Sequence, residues 1–200
     1  MSIIGAGGHA RSLIGLLESC NFKINGVFDD TFKHDSPEII CGIPLAGGIS
    51  DISGEYMVAV AIGDPGKRKA VYEKYLRQVL KDNVSHPSSI ISGSASLGMS
   101  NQIFARTVIN PCAVIGDDNI INTGAIIEHE SEIGSHNHIS VGAIICGRVK
   151  IGNMCFIGAG AVVIDKIRIC DGVTVGANSV VIKDITISGT YAGNPTRKIN

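Results

Sequence analysis

Tryptophan is absent from this 200-residue chain and only 4% of its residues are aromatic, so the core it builds is aliphatic. Charge of either sign is not in excess: 17 Lys and Arg stand against 18 Asp and Glu, with no basic block and no interleaving of basic and aromatic residues. That excludes the electrostatic footprint of a nucleic-acid binder and gives an anionic membrane nothing to hold. No CxxC pair occurs among the six cysteines (Cys20, Cys41, Cys112, Cys146, Cys155, Cys170), and their spacing fits no secreted disulfide framework. They read as reduced small hydrophobes of a cytoplasmic protein. A basic-then-apolar leader and a bilayer-length apolar run are both missing, which predicts neither export nor a membrane span. With 44% hydrophobic and 18% charged residues, the composition is globular, with room for one or two domains.

What the chain does have is an aliphatic residue at every sixth position over nearly half its length. The series runs from Ile91 through Leu97, Ile103, Ile109, Ile115, Ile121, Ile127, Ile133, Ile139, Ile145, Ile151, Ile157, Val163, Ile169, Val175 and Val181 to Ile187. A helix repeats every 3.6 residues and a half-buried strand every 2, so neither explains it. A six-residue period is the mark of a parallel β-helix, each hexad forming one face of a coil. Gly98, Gly116, Gly134 and Gly152 recur every 18 residues, as do Gly158 and Gly176, so three hexads make one triangular coil. Glycine is expected at such corners because it accepts positive φ. Four positions after the aliphatic residue the side chain is often small (Ala125, Ser131, Ala143, Cys155, Ala161, Ser179), as a tight inner corner requires.

The hexads begin after the turn-rich stretch Asn83-Val84-Ser85-His86-Pro87-Ser88-Ser89, which predicts a division into residues 1–85 and 86–200. Upstream the pattern predicts a strand over 2–4, a helix over 10–20, strands over 24–28 and 56–62, and a helix over 67–81. This is a small Rossmann-like parallel α/β unit. Gly5-Ala6-Gly7-Gly8-His9 joins its first strand to its first helix, where backbone amides and the helix dipole can hold a phosphate. Asp29-Asp30 ends the second strand, about where such a site sets an acid against ribose hydroxyls. Ala61-Ile62-Gly63-Asp64 faces the same crevice, since ligands of open parallel sheets gather at the carboxyl ends of strands. Arg68, one turn into the next helix, is placed either to reach a phosphate or to sit solvated.

Three of the six histidines fall in Glu128-His129-Glu130-Ser131-Glu132-Ile133-Gly134-Ser135-His136-Asn137-His138. His129 is flanked by acids, and a carboxylate fixes an imidazole's tautomer, which is the equipment of a general base. Eighteen residues on, Gly147 leaves the stacked position without a side chain and its amide open to receive oxyanion charge. Two other readings stand beside this one. His129, Glu130, His136 and His138 can be read as metal ligands, although their spacing matches no common zinc pattern, and His129 can be a solvated structural residue. His136 is read as structural.

These residues, taken with Ile4-Gly5-Ala6-Gly7-Gly8-His9, Val27-Phe28-Asp29-Asp30, His86-Pro87, Ile120-Ile121-Asn122-Thr123 and Gly193-Asn194-Pro195, resemble a family across the whole chain. It is that of the bacterial left-handed β-helix acyltransferases that N-acetylate nucleotide-linked amino sugars, grouped with the sialic acid O-acetyltransferases. The resemblance implies the left hand of the coil, which periodicity does not give. It implies His129 as base, Glu130 as its supporting carboxylate and the Gly147 amide as binder of the thioester oxygen. His138, Ala159 and Ala177 match acetyl-coenzyme A positions, and Gly7, Gly8, His9, Asp29, Asp30 and Gly63 match nucleotide-sugar contacts. It further implies a cytoplasmic homotrimer with sites between neighbouring coils, acting on the 4-amino group of a UDP- or dTDP-linked deoxysugar for surface glycan biosynthesis, with acetyl-CoA as cosubstrate and no resident metal. A sugar O-acetyltransferase and a non-enzymatic sugar-nucleotide scaffold are the alternatives.

Overall fold

A computed structural model gives the structure and describes residues 1–33, 38–52 and 57–199. The chain opens with β1 (Ser2–Ile4), α1 (Gly8–Ser19), β2 (Gly26–Phe28), β3 (Ile39–Ile40), β4 (Ile43–Gly47), β5 (Val58–Val60) and α2 (Pro65–Lys74). The five strands form one sheet in the order β3-β4-β2-β1-β5, parallel except for the edge pair β3 and β4. Ile3, Val27 and Val58 are fully buried, as strands covered on both faces require. Ala10, Leu13, Ile14, Leu16 and Leu17 form the buried stripe of α1, at the three-to-four spacing of one helix face.

Several boundaries differ from the sequence reading: the helix expected over 10–20 is Gly8–Ser19, and the strand expected over 24–28 is Gly26–Phe28. The helix expected over 67–81 ends at Lys74, because the chain is needed elsewhere: Val58 N–H donates to Gln78 O (2.9 Å) and Leu80 N–H to Val58 O (2.9 Å), covering the open edge of β5. The strand expected over 56–62 is Val58–Val60, and its Tyr56 lies outside the described residues. The pair β3 and β4 was not anticipated, since residues 39–47 carry no alternating pattern long enough to show it.

From Val84 onward the chain winds as a parallel β-helix built mostly of two-residue strands, one per hexad, on three faces, and closes with the antiparallel pair Gly189–Ala192 and Arg197–Lys198. One face runs from Ile90–Ile91 to Val180–Val181 and presents Ile90, Val108, Ile126, Ile144, Val162 and Val180 outward, so we call it the aliphatic face. The second runs from Ser96–Leu97 to Arg168–Ile169 and presents Glu132, Lys150 and Arg168, the charged face. The third, from Val84–Ser85 to Arg197–Lys198, is the docking face, because the α/β unit packs on it: Phe104 and Ile120 join Ile3, Leu13 and Ala59 in one core cluster. Inside, the aliphatic hexad residues from Ile103 to Val181 fill a continuous core, each worth about 2 kcal/mol of buried surface.

The series fails at its last member. Ile187 is 63% exposed, while Ile185 is 5% exposed and bridges Ile169, sixteen rather than eighteen residues back. Asp184 accepts the Arg168 N–H (2.9 Å) at this tightened corner, so the closing turn is two residues short. The corner glycines also act for a different reason from the one expected. Gly98, Gly116, Gly134 and Gly152 do not have positive φ; a Cβ on Gly98 or Gly116 would come within 2.9 Å of the backbone of the next glycine in the stack. Positive φ is carried instead by the outermost turn residues, among them Gly124, Gly142, Glu130, His136 and Arg148.

Candidate active site

His129 sits on the edge where the aliphatic face turns into the charged face, in a column with Gly147 and Asp165 on the next two rungs. Its Nδ1 lies 3.0 Å from Glu130 Oε2, and both side chains are about half exposed. A carboxylate only accepts, so Nδ1 carries the proton and Nε2 is left with a free lone pair. The positive φ of Glu130 (58°) turns its carboxylate back onto the preceding imidazole. The ring lies over Gly147: a Cβ there would be 2.8 Å from both His129 Cε1 and Nε2, and 3.0 Å from Asp165 Oδ1. The Gly147 amide donates to no protein acceptor among the described residues. Sequence reasoning missed Arg148, which donates to Asp165 (3.2 Å to each oxygen) and stands 3.8 Å from Glu130, bracing the dyad from the next rung.

The structure does not bring His129, His136 and His138 together. His136 Nδ1 bonds Asp118 Oδ2 (2.9 Å) at the opposite end of the charged face, and His138 projects from the docking face. Among the described residues no three His, Cys, Asp or Glu side chains converge as a metal would need.

His138 lies in the seam between coil and α/β unit, 7% exposed. Its Nδ1 donates to Gly63 O (2.9 Å), which leaves Nε2 to accept from Asn122 Nδ2 (3.2 Å). Its ring packs edge-on against Phe156 at 4.9 Å and tilts against His9 at 5.9 Å. Burial, only partly offset by the Gly63 carbonyl, pushes its pKa down to about 4, with His9 and Arg68 adding to the fall. His9 is lowered too, chiefly by burial, although its Nε2 bonds Gln102 Oε1 (2.8 Å). Both imidazoles are therefore neutral at pH 7.

Gly63, His9 and the glycine loop share one crevice at the carboxyl ends of β1 and β5, and the atoms nearest a Cβ on Gly63 would be those of His138 and His9, at 3.7 to 3.9 Å. Gly7 caps α1 and Gly8 begins it; nothing lies within 4 Å of a Cβ at either, so the amide end of the helix opens to solvent. Gly5 alone is forced, with φ +106° and a Cβ that would sit 2.9 Å from Ala61 O. Asp29 closes the loop from β2: one oxygen accepts Ala6 N–H (2.8 Å), the other the Thr31 amide and hydroxyl (2.9 and 2.6 Å). Burial raises its carboxyl, but these bonds outweigh it and hold it below the usual range. Asp30 is exposed and accepts the Ile49 amide (3.1 Å). Arg11, absent from the sequence reading, brings a guanidinium to the loop by donating to Ala6 O and Gly7 O at 3.3 and 3.2 Å.

Ala159 and Ala177 stack on successive rungs at the third edge, between docking and aliphatic faces, and both are exposed. His129 and these alanines thus occupy the two opposite edges of the aliphatic face. Cys155 is buried in the coil, which pushes its thiol up to about 11, and burial likewise raises Cys146; neither is held as a thiolate nucleophile. No helix among the described residues is long and apolar enough to cross a membrane.

With this geometry in hand, comparison with known proteins is specific. Residues 1–75 match the family described as PglD N-terminal domain, and residues 148–183 the bacterial transferase hexapeptide repeat. The structure of a His-to-Asn mutant of perosamine N-acetyltransferase from Caulobacter crescentus, in complex with CoA and GDP-perosamine, is 31% identical with a TM-score of 0.91, covering 100% of this chain and 96% of that one. The acetyltransferase domain of PglB from Neisseria gonorrhoeae, in complex with acetyl coenzyme A, is 29% identical with a TM-score of 0.90, covering 99% and 98%. WeeI from Acinetobacter baumannii shares the fold at 20% identity and a TM-score of 0.76, covering 99% and 98%. No curated protein sequence matches.

Proposed function

Because the chain belongs to the left-handed β-helix acetyltransferases of nucleotide-linked amino sugars, we propose that it moves the acetyl group of acetyl-CoA to the 4-amino group of a nucleotide-linked deoxysugar, with His129 as the base. The observation that carries this is the His129 ring lying over Gly147 with Nδ1 tied to Glu130 and Nε2 free.

The amine lone pair attacks the thioester carbonyl while His129 Nε2 takes the amine proton. The open Gly147 amide receives the charge that builds on the carbonyl oxygen. As the C–S bond breaks, the imidazolium returns its proton to the departing sulfur, leaving amide and free CoA. Glu130 holds the tautomer and compensates the charge that forms on the ring. Direct transfer fits cysteines kept protonated by burial, since an acyl-enzyme would need a thiolate. In this reading residues 1–85 seat the nucleotide sugar, through Gly7, Gly8, His9, Asp29, Asp30 and Gly63, and residues 86–200 bind the donor. Rate then comes largely from holding the amine beside the thioester.

The crevice opens beside the docking face, whereas His129 stands on the far edge of the aliphatic face. A homotrimer built on the aliphatic face supplies the missing proximity: it sets the His129 edge of one copy against the Ala159 and Ala177 edge, and the crevice, of the next. Six rungs of outward Ile and Val, with Ile90 66% exposed, support that assembly. We place the reaction in the cytoplasm, supplying an activated acetamido sugar for glycan assembly.

The test is thiol release from acetyl-CoA with UDP-, dTDP- and GDP-linked 4-amino-4,6-dideoxy sugars and with free sialic acid as acceptors. The GDP sugar joins the panel because the similar Caulobacter enzyme was solved with GDP-perosamine. Turnover on a nucleotide-linked amino sugar that drops by roughly 10²-fold or more in His129→Ala is the expected result. Turnover on the hydroxylated sugar alone moves the protein to the O-acetyltransferases, and an undiminished mutant removes His129 from the mechanism.

A further inference from the structure

Arg68 is the largest fully buried side chain of the described residues, at 0% exposure, and every nitrogen of its guanidinium is engaged. Nε donates to Asp118 Oδ2 (3.1 Å) and to Asp118 O (3.2 Å), and Nη2 to Asn137 O (2.9 Å), all on the coil. Nη1 reaches the other way, to Ile62 O (3.2 Å) and Gly63 O (3.4 Å), the residues that follow β5. The phosphate-binding and solvated positions expected from sequence are therefore both wrong for this residue.

The acceptors on the two sides form a pattern. Asp118 is itself pinned, with His136 Nδ1 on Oδ2 and a left-handed backbone (φ 51°) at the coil corner. Tyr72 of α2 covers His136 edge-on at 5.5 Å. On the α/β side, carbonyls at and just beyond the end of β5 are taken by coil side chains and by Arg68: Val60 O by Gln102 Nε2 (2.8 Å), Ile62 O by Arg68, and Gly63 O by both Arg68 and His138. This strand end forms one wall of the crevice that also holds the glycine loop, and ligands of open parallel sheets bind at such carboxyl ends.

We infer that Arg68 is a positioning residue: clamped to Asp118 and Asn137 on the coil, it fixes the backbone of Ile62 and Gly63 and so shapes the acceptor crevice and holds it in register with the coil. The inference rests on the reading of the α/β unit as the seat of the nucleotide sugar. A planar fork with donors in three directions meets all five acceptors at once; a lysine ammonium is a point charge on a flexible stem and cannot.

Arg68→Ala would strand a buried carboxylate and is expected to lose stability, so Arg68→Lys and Asp118→Asn, each checked by thermal melting, carry the test. Both are expected to raise the KM for the nucleotide sugar at least tenfold while the KM for acetyl-CoA stays within twofold. Calorimetric binding of GDP, UDP and dTDP to the full chain reads the same crevice without turnover, and the Kd of the nucleotide bound by wild type should weaken by a similar factor. Folded variants whose acceptor KM and nucleotide Kd stay within twofold of wild type, or whose two KM values rise together, overturn the inference while leaving the function intact. A wild type that binds none of the three nucleotides removes the function's α/β seat and the inference with it.

Discussion

At the scale of single residues, two glycines that look alike in sequence have opposite tasks, and that difference is measurable. A Cβ on Gly134 would meet the backbone of Gly152 at 2.6 Å, whereas a Cβ on Gly147 would meet the half-exposed ring of His129. Backbone cannot step aside, but a side chain can rotate. Gly134→Ala is therefore expected to cost about 1–3 kcal/mol of stability in urea unfolding. Gly147→Ala should melt within a few degrees of wild type yet lose roughly tenfold or more in kcat, because the ring is pushed from its amide; equal behaviour of the two variants would contradict this division. His138 gives a residue-scale pH effect. Its folded pKa of about 4 lies below the unfolded value near 6.5, so the unfolded chain takes up the proton first as pH falls. Stability is undiminished by this group above pH 6.5 and declines from there toward pH 4, by about 3 kcal/mol in all. Urea titrations at pH 8 and pH 5 should show a smaller drop in His138→Asn than in wild type, and identical drops would mean that another group carries the acid sensitivity.

At the scale of elements, the coil was legible because each rung must satisfy the same geometry, so the requirement is written into the sequence once every six residues. Ile103 to Val181 could be assigned inward without knowing anything of their neighbours. The signal stopped being reliable where the repeat itself stopped: Ile187 keeps the period yet Ile185 fills the core, since the last turn has no further rung to hold it in register. A second device was invisible to a hydrophobic pattern. Asn101, Asn119 and Asn137 stack inside the docking side, each accepting at its side-chain oxygen the backbone N–H one rung on (2.7 to 2.9 Å), and the ladder ends at Cys155. Buried asparagines are read as polar until the ladder that satisfies them is seen. The α/β unit was less legible, because β3 and β4 are too short to show alternation and α2 ends where β5 needs an edge partner. Within the site, His129, Glu130 and Gly147 were legible as a set because all lie on one edge, two of them 18 residues apart. Arg68, Gln102 and Asp118 were not, since the bonds across the seam from Arg68 to Asp118 and Asn137 and from Gln102 to Val60 span 42 to 69 residues between unrelated elements, and no local pattern records a contact between domains.

At the scale of the whole molecule, the arrangement sets the two halves of the proposed site on opposite edges of one aliphatic face, with the acceptor crevice on the side away from His129. One chain cannot close that distance without unwinding rungs that are hydrogen-bonded on both sides. A rotational assembly can, because each copy offers a different edge to each neighbour. That makes complementation the decisive experiment. Chains carrying His129→Ala lack the base, and chains carrying Ala177→Trp should block the donor groove while keeping the base. Each is expected to be inactive alone. Unfolded together and refolded, they form mixed oligomers in which some interfaces pair an intact His129 edge with an intact Ala177 edge, and acetyl transfer should return to a substantial fraction of wild type. Sites contained within single chains can never combine the two intact halves, so a mixture that stays inactive, with mixed oligomers verified by differential tagging, would rule out the shared site. A charge placed on the aliphatic face, as in Ile144→Asp, should break the assembly in light scattering and abolish the recovered activity with it.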